Sequence, residues 1–325
     1  MRKSPMFKTA LAAGISLCAL CVLPARAAPS EITVNDTGIF PESITSTPEG
    51  AVIFGSSAKP VIYRAAPGAA TAEPWIHLSG DGMAATNGVL ADPASKTLWA
   101  CVREPVASPV PAPAQAPGAP PAMPPQHSFL RGFDLTTGAV KVNYPLVGAT
   151  NGCNDISIAP DRAIFVTDSA NARLQRLAPG GKALEVWLQD KQDLDGVDGA
   201  DFMDGRLYVN NVRTGHIYRI PVTSDGKPGT PVDIPLSQPL SGPDGMRSAN
   251  GHMYVAENRG GRVSELIFTG DTASVRVLKT GYQSPTAVAP TGDTLWIGES
   301  KFNYRRDPAL GDPNPFKAYA IALKP

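Results

Sequence analysis

The chain repeats one sequence pattern six times, and this repetition limits its fold more than any other feature. In each copy a polar residue stands second and an apolar residue fourth, followed by a Pro/Gly/Asp turn and an aliphatic-aromatic run. The copies begin at Pro41, Thr86, Cys153, Val197, Pro243 and Pro285, and their second residues are Glu42, Asn87, Asn154, Asp198, Asp244 and Thr286. A segment that recurs in this way predicts a repeat architecture built from one supersecondary unit.

The spacing of the copies predicts the kind of repeat. Successive second positions are 45, 67, 44, 46 and 42 residues apart, and the longest step contains a Pro/Ala-rich insertion. A period of about 45 residues with short β-branched and aromatic runs is typical of a four-stranded propeller blade. The sequence therefore predicts an all-β fold, a six-bladed β-propeller with four-stranded blades. A different all-β array, such as a sandwich, is the alternative.

In a propeller, equivalent positions of the blades meet near one axis. Glu42, Asp198 and Asp244 would then bring three carboxylates together, and Asn154 would add an amide oxygen. Like charges at close range repel, and a bound cation relieves the repulsion. Hard oxygen ligands favour calcium, with magnesium, manganese or zinc as alternatives. Asn87 would be a fifth contact or lie just behind the ligands. A water-filled polar channel is the simpler alternative.

The first residues predict an export signal. Arg2, Lys3 and Lys8 precede an apolar run, and Ala25-Arg26-Ala27 gives a cleavage site, so residues 1–27 form a signal peptide and the propeller covers 28–325. The protein would be periplasmic or secreted. The mature chain has 25 Lys and Arg against 29 Asp and Glu. This negative charge argues against nucleic acid and anionic membrane as partners, and we expect a monomer that binds a small molecule.

Two cysteines, Cys101 and Cys153, remain after cleavage. Cys101 ends the second strand of one predicted blade, and Cys153 begins the first strand of the next, so both should lie on the same face. Because exported proteins meet oxidising conditions, the sequence favours a disulfide between them. Two free thiols are the alternative.

Two segments interrupt the strand pattern. The Pro/Ala-rich insertion at about 103–127 predicts an irregular or polyproline-like loop. Residues 301–315 form the second segment, which contains Arg305 and Arg306. Both segments fall between the second and third strands of a blade and should emerge on the face that carries the acidic residues. The second is the better candidate for contacting a ligand.

The segments FPES, CNDISIAPDRAIFVTD and SGPDGMRSANGHMYVAENRGGRV resemble the senescence-marker-protein/gluconolactonase family, also called the regucalcin family. That resemblance implies a six-bladed propeller with one divalent metal and hydrolysis of sugar lactones or related esters. It also implies that Glu42, Asp198 and Asp244 bind the metal while Asn154 lines the site. In two places the chain departs from the family pattern: Asp198 stands where an Asn is usual, and Gly152 stands where an Arg that binds sugar is usual.

These features together predict a metal-dependent hydrolase that opens a lactone or related ester. Asp244 would be the catalytic base, and Glu42, Asn154, Asp198 and Asp244 would bind the metal. The expected substrate-binding residues are Asn87, Asp155, Arg305 and Arg306. One of these arginines would bind substrate in place of the Arg that Gly152 replaces; the alternative is that both stay solvated. The alternative is a non-catalytic exported propeller that binds a ligand or partner protein and carries a structural calcium ion.

Overall fold

The structure is a computed structural model that describes Met1 and residues 29–78, 84–105 and 126–323. The predicted signal peptide and most of the Pro/Ala-rich insertion lie outside the described residues. Within them the chain is almost entirely β-structure, with one short α-helix and one 3₁₀ turn. The prediction of an all-β fold is confirmed.

Most strands form four-stranded antiparallel sheets, and each sheet takes its four strands from consecutive parts of the chain. The sheets described in this way are β6 (Ala85–Asp92), β7 (Thr97–Pro105), β8 (Gln126–Asp134), β9 (Val140–Pro145); β10 (Cys153–Ile158), β11 (Ile164–Asp168), β12 (Arg173–Leu177), β13 (Glu185–Gln189); β14 (Val197–Met203), β15 (Arg206–Asn211), β16 (Ile217–Ile220), β17 (Val232–Asp233); and β18 (Pro243–Ala249), β19 (His252–Glu257), β20 (Arg262–Thr269), β21 (Thr272–Thr280).

The two ends of the described chain share one eight-stranded sheet. Its order is β2-β3-β4-β5-β1-β24-β23-β22. β1 pairs antiparallel with β24 and parallel with β5, so the N-terminal strand joins the last strands to the first. Its members are β1 (Glu31–Val34), β2 (Ile44–Ser46), β3 (Val52–Phe54), β4 (Val61–Ala65), β5 (Thr71–His77), β22 (Pro285–Thr291), β23 (Thr294–Glu299) and β24 (Lys317–Ala322).

The first strands of the repeats contact one another in a closed ring, in the order β2, β6, β10, β14, β18, β22 and back to β2. Their neighbours in each sheet are mostly buried, and β3 and β11 are buried along their whole length. Side chains from adjacent sheets fill the space between them; Phe165 and Trp187, for example, pack with Leu207 and Val209. Burying these apolar faces is the main force that holds the sheets together. The arrangement is that of a β-propeller.

The structure describes the second irregular segment and only the ends of the Pro/Ala-rich insertion, whose bounds it narrows. β7 extends to Pro105 and β8 begins at Gln126, so residues 103–105 and 126–127 belong to a long hairpin rather than to the insertion. These residues extend the β7–β8 ladder, because the hydrogen bonds of the ladder are made by the backbone. The second segment contains α1 (Phe302–Arg306) and a 3₁₀ turn (Pro308–Leu310) between β23 and β24.

A disulfide links neighbouring sheets. Cys101 of β7 is bonded to Cys153 of β10, and their Cα atoms are 5.2 Å apart. Such bonds are typical of proteins that fold in an oxidising compartment. Among the residues described, no helix has both the length and the apolar character needed to cross a membrane.

Candidate metal centre

Five of the six repeats place their polar second residue at a local break in strand pairing; Glu42 instead lies just before β2 begins. The pairing of the first strand with the second changes register in β6, β10, β14, β18 and β22, each time next to that residue. A β-bulge of this kind bends the strand and turns a side chain out of the regular alternation. Of the residues at these bulges, Asn154, Asp198, Asp244 and Thr286 line the cavity at the centre of the ring.

Glycines behind three of these residues let the first strands approach closely. A Cβ atom on Gly88 would lie 2.3 Å from the carbonyl oxygen of Asn154, and one on Gly199 would lie 2.4 Å from that of Asp244. Gly245 is in the same position, 2.6 Å from the oxygen of Thr286. The Asn-Gly and Asp-Gly pairs therefore serve close backbone packing here.

Glu42, Asp198 and Asp244 meet at the centre of the ring. One carboxylate oxygen from each lies within 4.8 Å of those from the other two. They surround a cavity of about 10 Å³, which Asn154, Asp155 and Thr286 also line. Such a volume has room for about one water molecule or one ion. The predicted convergence of the three carboxylates is thus present.

Burial strongly disfavours the ionised forms of these three acids. It is the largest cause of the raised pKa of Glu42, followed by the charges of Asp198 and Asp155. Burial and then the Asp244 charge raise the pKa of Asp198, and burial followed by the Glu42 charge raises that of Asp244. Without a cation, these carboxyls therefore stay protonated to a higher pH than exposed carboxyls do.

Hydrogen bonds hold Asp244 in place. Asn258 Nδ2 donates to Asp244 Oδ2 at 3.0 Å, and the Gly245 amide donates to Oδ1 at 3.0 Å. Asp198 has Asn154 and Asp244 as close polar neighbours, and both affect the pKa of its carboxyl. Three carboxylates with one amide, around a cavity of ionic size, fit a hard divalent cation that takes oxygen ligands.

Two of the predicted substrate contacts have other roles. Asn87 is not among the cavity-lining residues; its amide donates to the Cys153 carbonyl oxygen at 3.4 Å. Asp155 lines the cavity, but its carboxylate accepts from the amides of Ile156 and Ala200 and from both terminal nitrogens of Arg247, at 2.7–3.0 Å. Buried Arg247 already binds both carboxylate oxygens of Asp155, and a substrate contact of this residue stays a prediction.

The loop arginines differ from each other. Arg305 donates to Ser57 Oγ at 3.1 Å and lies over the ring of Phe40, 5.2 Å from its centroid. Both are exposed, but Arg306 takes part in none of the hydrogen bonds or ion pairs of the described residues. At Gly152 a Cβ atom would lie 3.1 Å from the Ala170 Cβ, so a larger side chain would require this loop to shift.

Sequence reasoning missed a second set of polar residues, which pair with the start of the first strands. Each ends a second strand and is buried, and three of them accept a backbone N–H from the segment that leads into their sheet. Asp168 accepts from Gly152, Glu257 from Ser241 and Glu299 from Gln283, at 2.6–2.8 Å. The repeat itself carries the signal: the four equivalent residues are Asp168, Asn211, Glu257 and Glu299.

Comparison with known proteins supports the fold and goes no further. No known family profile and no curated protein matches the sequence. Among solved structures, the allergen Mala s 1 of Malassezia sympodialis is 17% identical with a TM-score of 0.65, covering 90% of this chain and 96% of its own. Virginiamycin B lyase from Staphylococcus aureus is 14% identical, with a TM-score of 0.57 and coverages of 90% and 98%. A candidate gluconolactonase is 17% identical, with a TM-score of 0.60 and coverages of 89% and 92%.

Proposed function

We propose that the protein is a hydrolase that opens a lactone or related ester with the help of one divalent metal ion, most suitably calcium. The observation that carries the proposal is the convergence of Glu42, Asp198 and Asp244 around a cavity of about 10 Å³. Three buried carboxylates at this range are costly unless a cation joins them. A solved structure of a candidate gluconolactonase shares the fold, which agrees with this chemistry.

The side chains divide the work. Glu42, Asp198, Asp244 and Asn154 would hold the ion, which when bound polarises a carbonyl and acidifies water. Asp244 would accept the proton of the attacking water, because its carboxylate lines the cavity in which the ion would sit. Asn258 keeps that carboxylate oriented from behind. Thr286 lines the cavity without adding charge.

The proposed fold has six blades. We divide the eight-stranded sheet into β2–β5 and β22–β24 with β1, because β1 joins them only through its short parallel pairing with β5. With the other four sheets this gives one blade for each sequence repeat. The mature protein would be an exported monomer, released by cleavage near residue 27, whose partner is a small molecule.

A panel of neutral and sugar-derived lactones and aryl esters tests the activity. The mature protein should hydrolyse at least one of them, chelator should abolish the activity, and added calcium should restore it. The variant Glu42→Gln should fail to recover with calcium. Hydrolysis that persists in chelator would contradict the proposed role of the metal.

A second candidate function is a binding protein with a structural ion, and the small size of the cavity favours it. A space of about 10 Å³ holds an ion but no part of a substrate, which must therefore bind at the mouth. If calcium raises the melting temperature while every lactone and ester remains intact, this second function is the correct one.

A further inference from the structure

Two arginines from distant parts of the chain meet at Ser57. Arg103, near the end of β7, donates from Nη2 to the Ser57 carbonyl oxygen at 3.2 Å. Arg305, in α1, donates from Nη1 to the Ser57 hydroxyl at 3.1 Å. Ser57 itself is buried. Two cationic groups thus both contact one small residue.

Neither arginine has a carboxylate partner among the ion pairs of the described residues. Arg103 Nε is buried and has no hydrogen-bond partner in the part of the chain that the structure describes. A buried donor without a partner is costly, and so is a pair of like charges. Burial, and next the charge of Arg305, lower the pKa of Arg103. An anion placed between the two guanidinium groups would relieve both costs.

The pair lies beside the metal centre. The Ser57 hydroxyl donates to the Phe40 carbonyl oxygen at 2.7 Å, two residues before Glu42. The Arg305 guanidinium lies over the Phe40 ring, so the same short segment carries both the arginine contact and a metal-binding carboxylate. The charge of Arg103 also acts on Glu42 and partly offsets the rise in its pKa. A ligand at the metal could therefore extend to the arginines.

We propose that Arg103 and Arg305 form an oxyanion subsite, and that the substrate is a lactone or ester with a carboxylate or phosphate group besides the bond that is cleaved. This inference rests on the proposed function and specifies its substrate class. Paired guanidinium groups suit such ligands because their planar N–H groups match two oxygens at once. Arg306 makes none of these contacts and is not part of the subsite.

Matched substrates test the charge requirement. γ-Butyrolactone, its γ-carboxylate and its γ-phosphomethyl derivative share a ring and differ in the anion, so comparing the two derivatives distinguishes carboxylate from phosphate. The wild-type protein should prefer one anionic lactone over the neutral one by at least about tenfold in kcat/KM. Arg103→Gln and Arg305→Gln should each remove most of that preference and leave the neutral lactone within about threefold. Arg213→Gln is the matched control: this exposed arginine pairs with Asp195 on another loop, and its removal should change neither rate.

A binding measurement separates failure of the subsite from failure of the proposed function. Succinate, compared with neutral succinamide, is titrated calorimetrically into the calcium-loaded protein. Succinate should bind more tightly, and Arg103→Gln or Arg305→Gln should weaken it by at least about tenfold in protein that melting curves show to be folded and that still binds calcium. Arginine-dependent succinate binding without any hydrolysis would reject the enzyme but retain the subsite. Equal binding of succinate by wild type and both variants, or equal rates on neutral and anionic lactones, would overturn the subsite.

Discussion

Individual side chains determine what the acidic cluster can do. Glu42, Asp198 and Asp244 have raised pKa values because they are buried and face one another. In the metal-free protein, burial disfavours the ionised form of these carboxyls. It also favours cation binding, since a bound ion replaces water as the partner of each charge. Their chemistry therefore depends on proton and metal occupancy together.

The base role of Asp244 leads to a mutational prediction. Asp244→Asn keeps the size and one oxygen ligand but removes proton acceptance, so hydrolysis should fall by at least about a hundredfold with the fold intact. Steady-state kinetics and a melting curve check this. Asp204→Asn, on an exposed turn, is the control and should leave the rate unchanged. Full activity in Asp244→Asn would show that another group takes the proton.

The stability of the metal-free protein should depend on pH with a defined sign. Below the ordinary carboxyl values of 3.8 and 4.5, the three acids are protonated in both the folded and the unfolded state. As pH rises, the unfolded chain releases protons first, so the free energy of unfolding should fall by at least about 1 kcal/mol toward neutral pH.

Urea titrations between pH 4 and pH 7 in chelator measure this dependence. Calcium should reverse it, because the ion binds the ionised carboxylates. A metal-free protein that gains stability from the cluster as pH rises, relative to the Asp198→Asn variant, would contradict the burial described here.

At the level of strands and loops, the repeat sequence predicts more than any single motif does. It places a strand pair in each copy and brings the three acids to one face, because β-structure with a regular period repeats its geometry. It could not predict Arg103 beside Arg305, which are far apart in sequence and meet only through Ser57. Nor could it predict the Arg247–Asp155 pair, which joins β18 to β10 across the intervening β14 and forms only in the folded ring.

The glycine after Asp198 gives a prediction about strand packing. Gly199→Ala would place a Cβ 2.4 Å from the Asp244 carbonyl oxygen, so β14 must move away from β18. We expect a loss of about 1–3 kcal/mol of stability together with weaker calcium binding. Gly251→Ala, in an open turn with φ of 76°, should cost stability through backbone strain alone and leave calcium affinity intact. Equal calcium affinity in both variants would contradict the packing argument.

The disulfide also belongs to this level. Cys101 and Cys153 are 52 residues apart in sequence and join two sheets, so reduction should lower stability by roughly 2–4 kcal/mol. Thiol titration of the unfolded, unreduced mature protein should find no free thiol. Two titratable thiols would show that the bond does not form.

At the level of the whole molecule, the ring of sheets is a frame around a single charged centre. The first strands contact one another around the full circle, so each of them packs against two neighbours. Ion binding at the centre therefore links several sheets at once. A ligand that binds only the folded state at a hundred times its dissociation constant adds about 2.7 kcal/mol, which for a chain of this size raises the melting temperature by about 5 °C or more.

The most direct test of the central claim is a calorimetric calcium titration of chelator-stripped protein, followed by melting curves with and without the ion. The account predicts one site per chain, a melting temperature that rises by about 5 °C or more with saturating calcium, and loss of both effects in Asp198→Ala. Magnesium and manganese titrations would establish which ion the centre prefers. Absence of divalent-metal binding, with a melting temperature that chelator leaves unchanged, would contradict the claim that these three carboxylates form a metal centre.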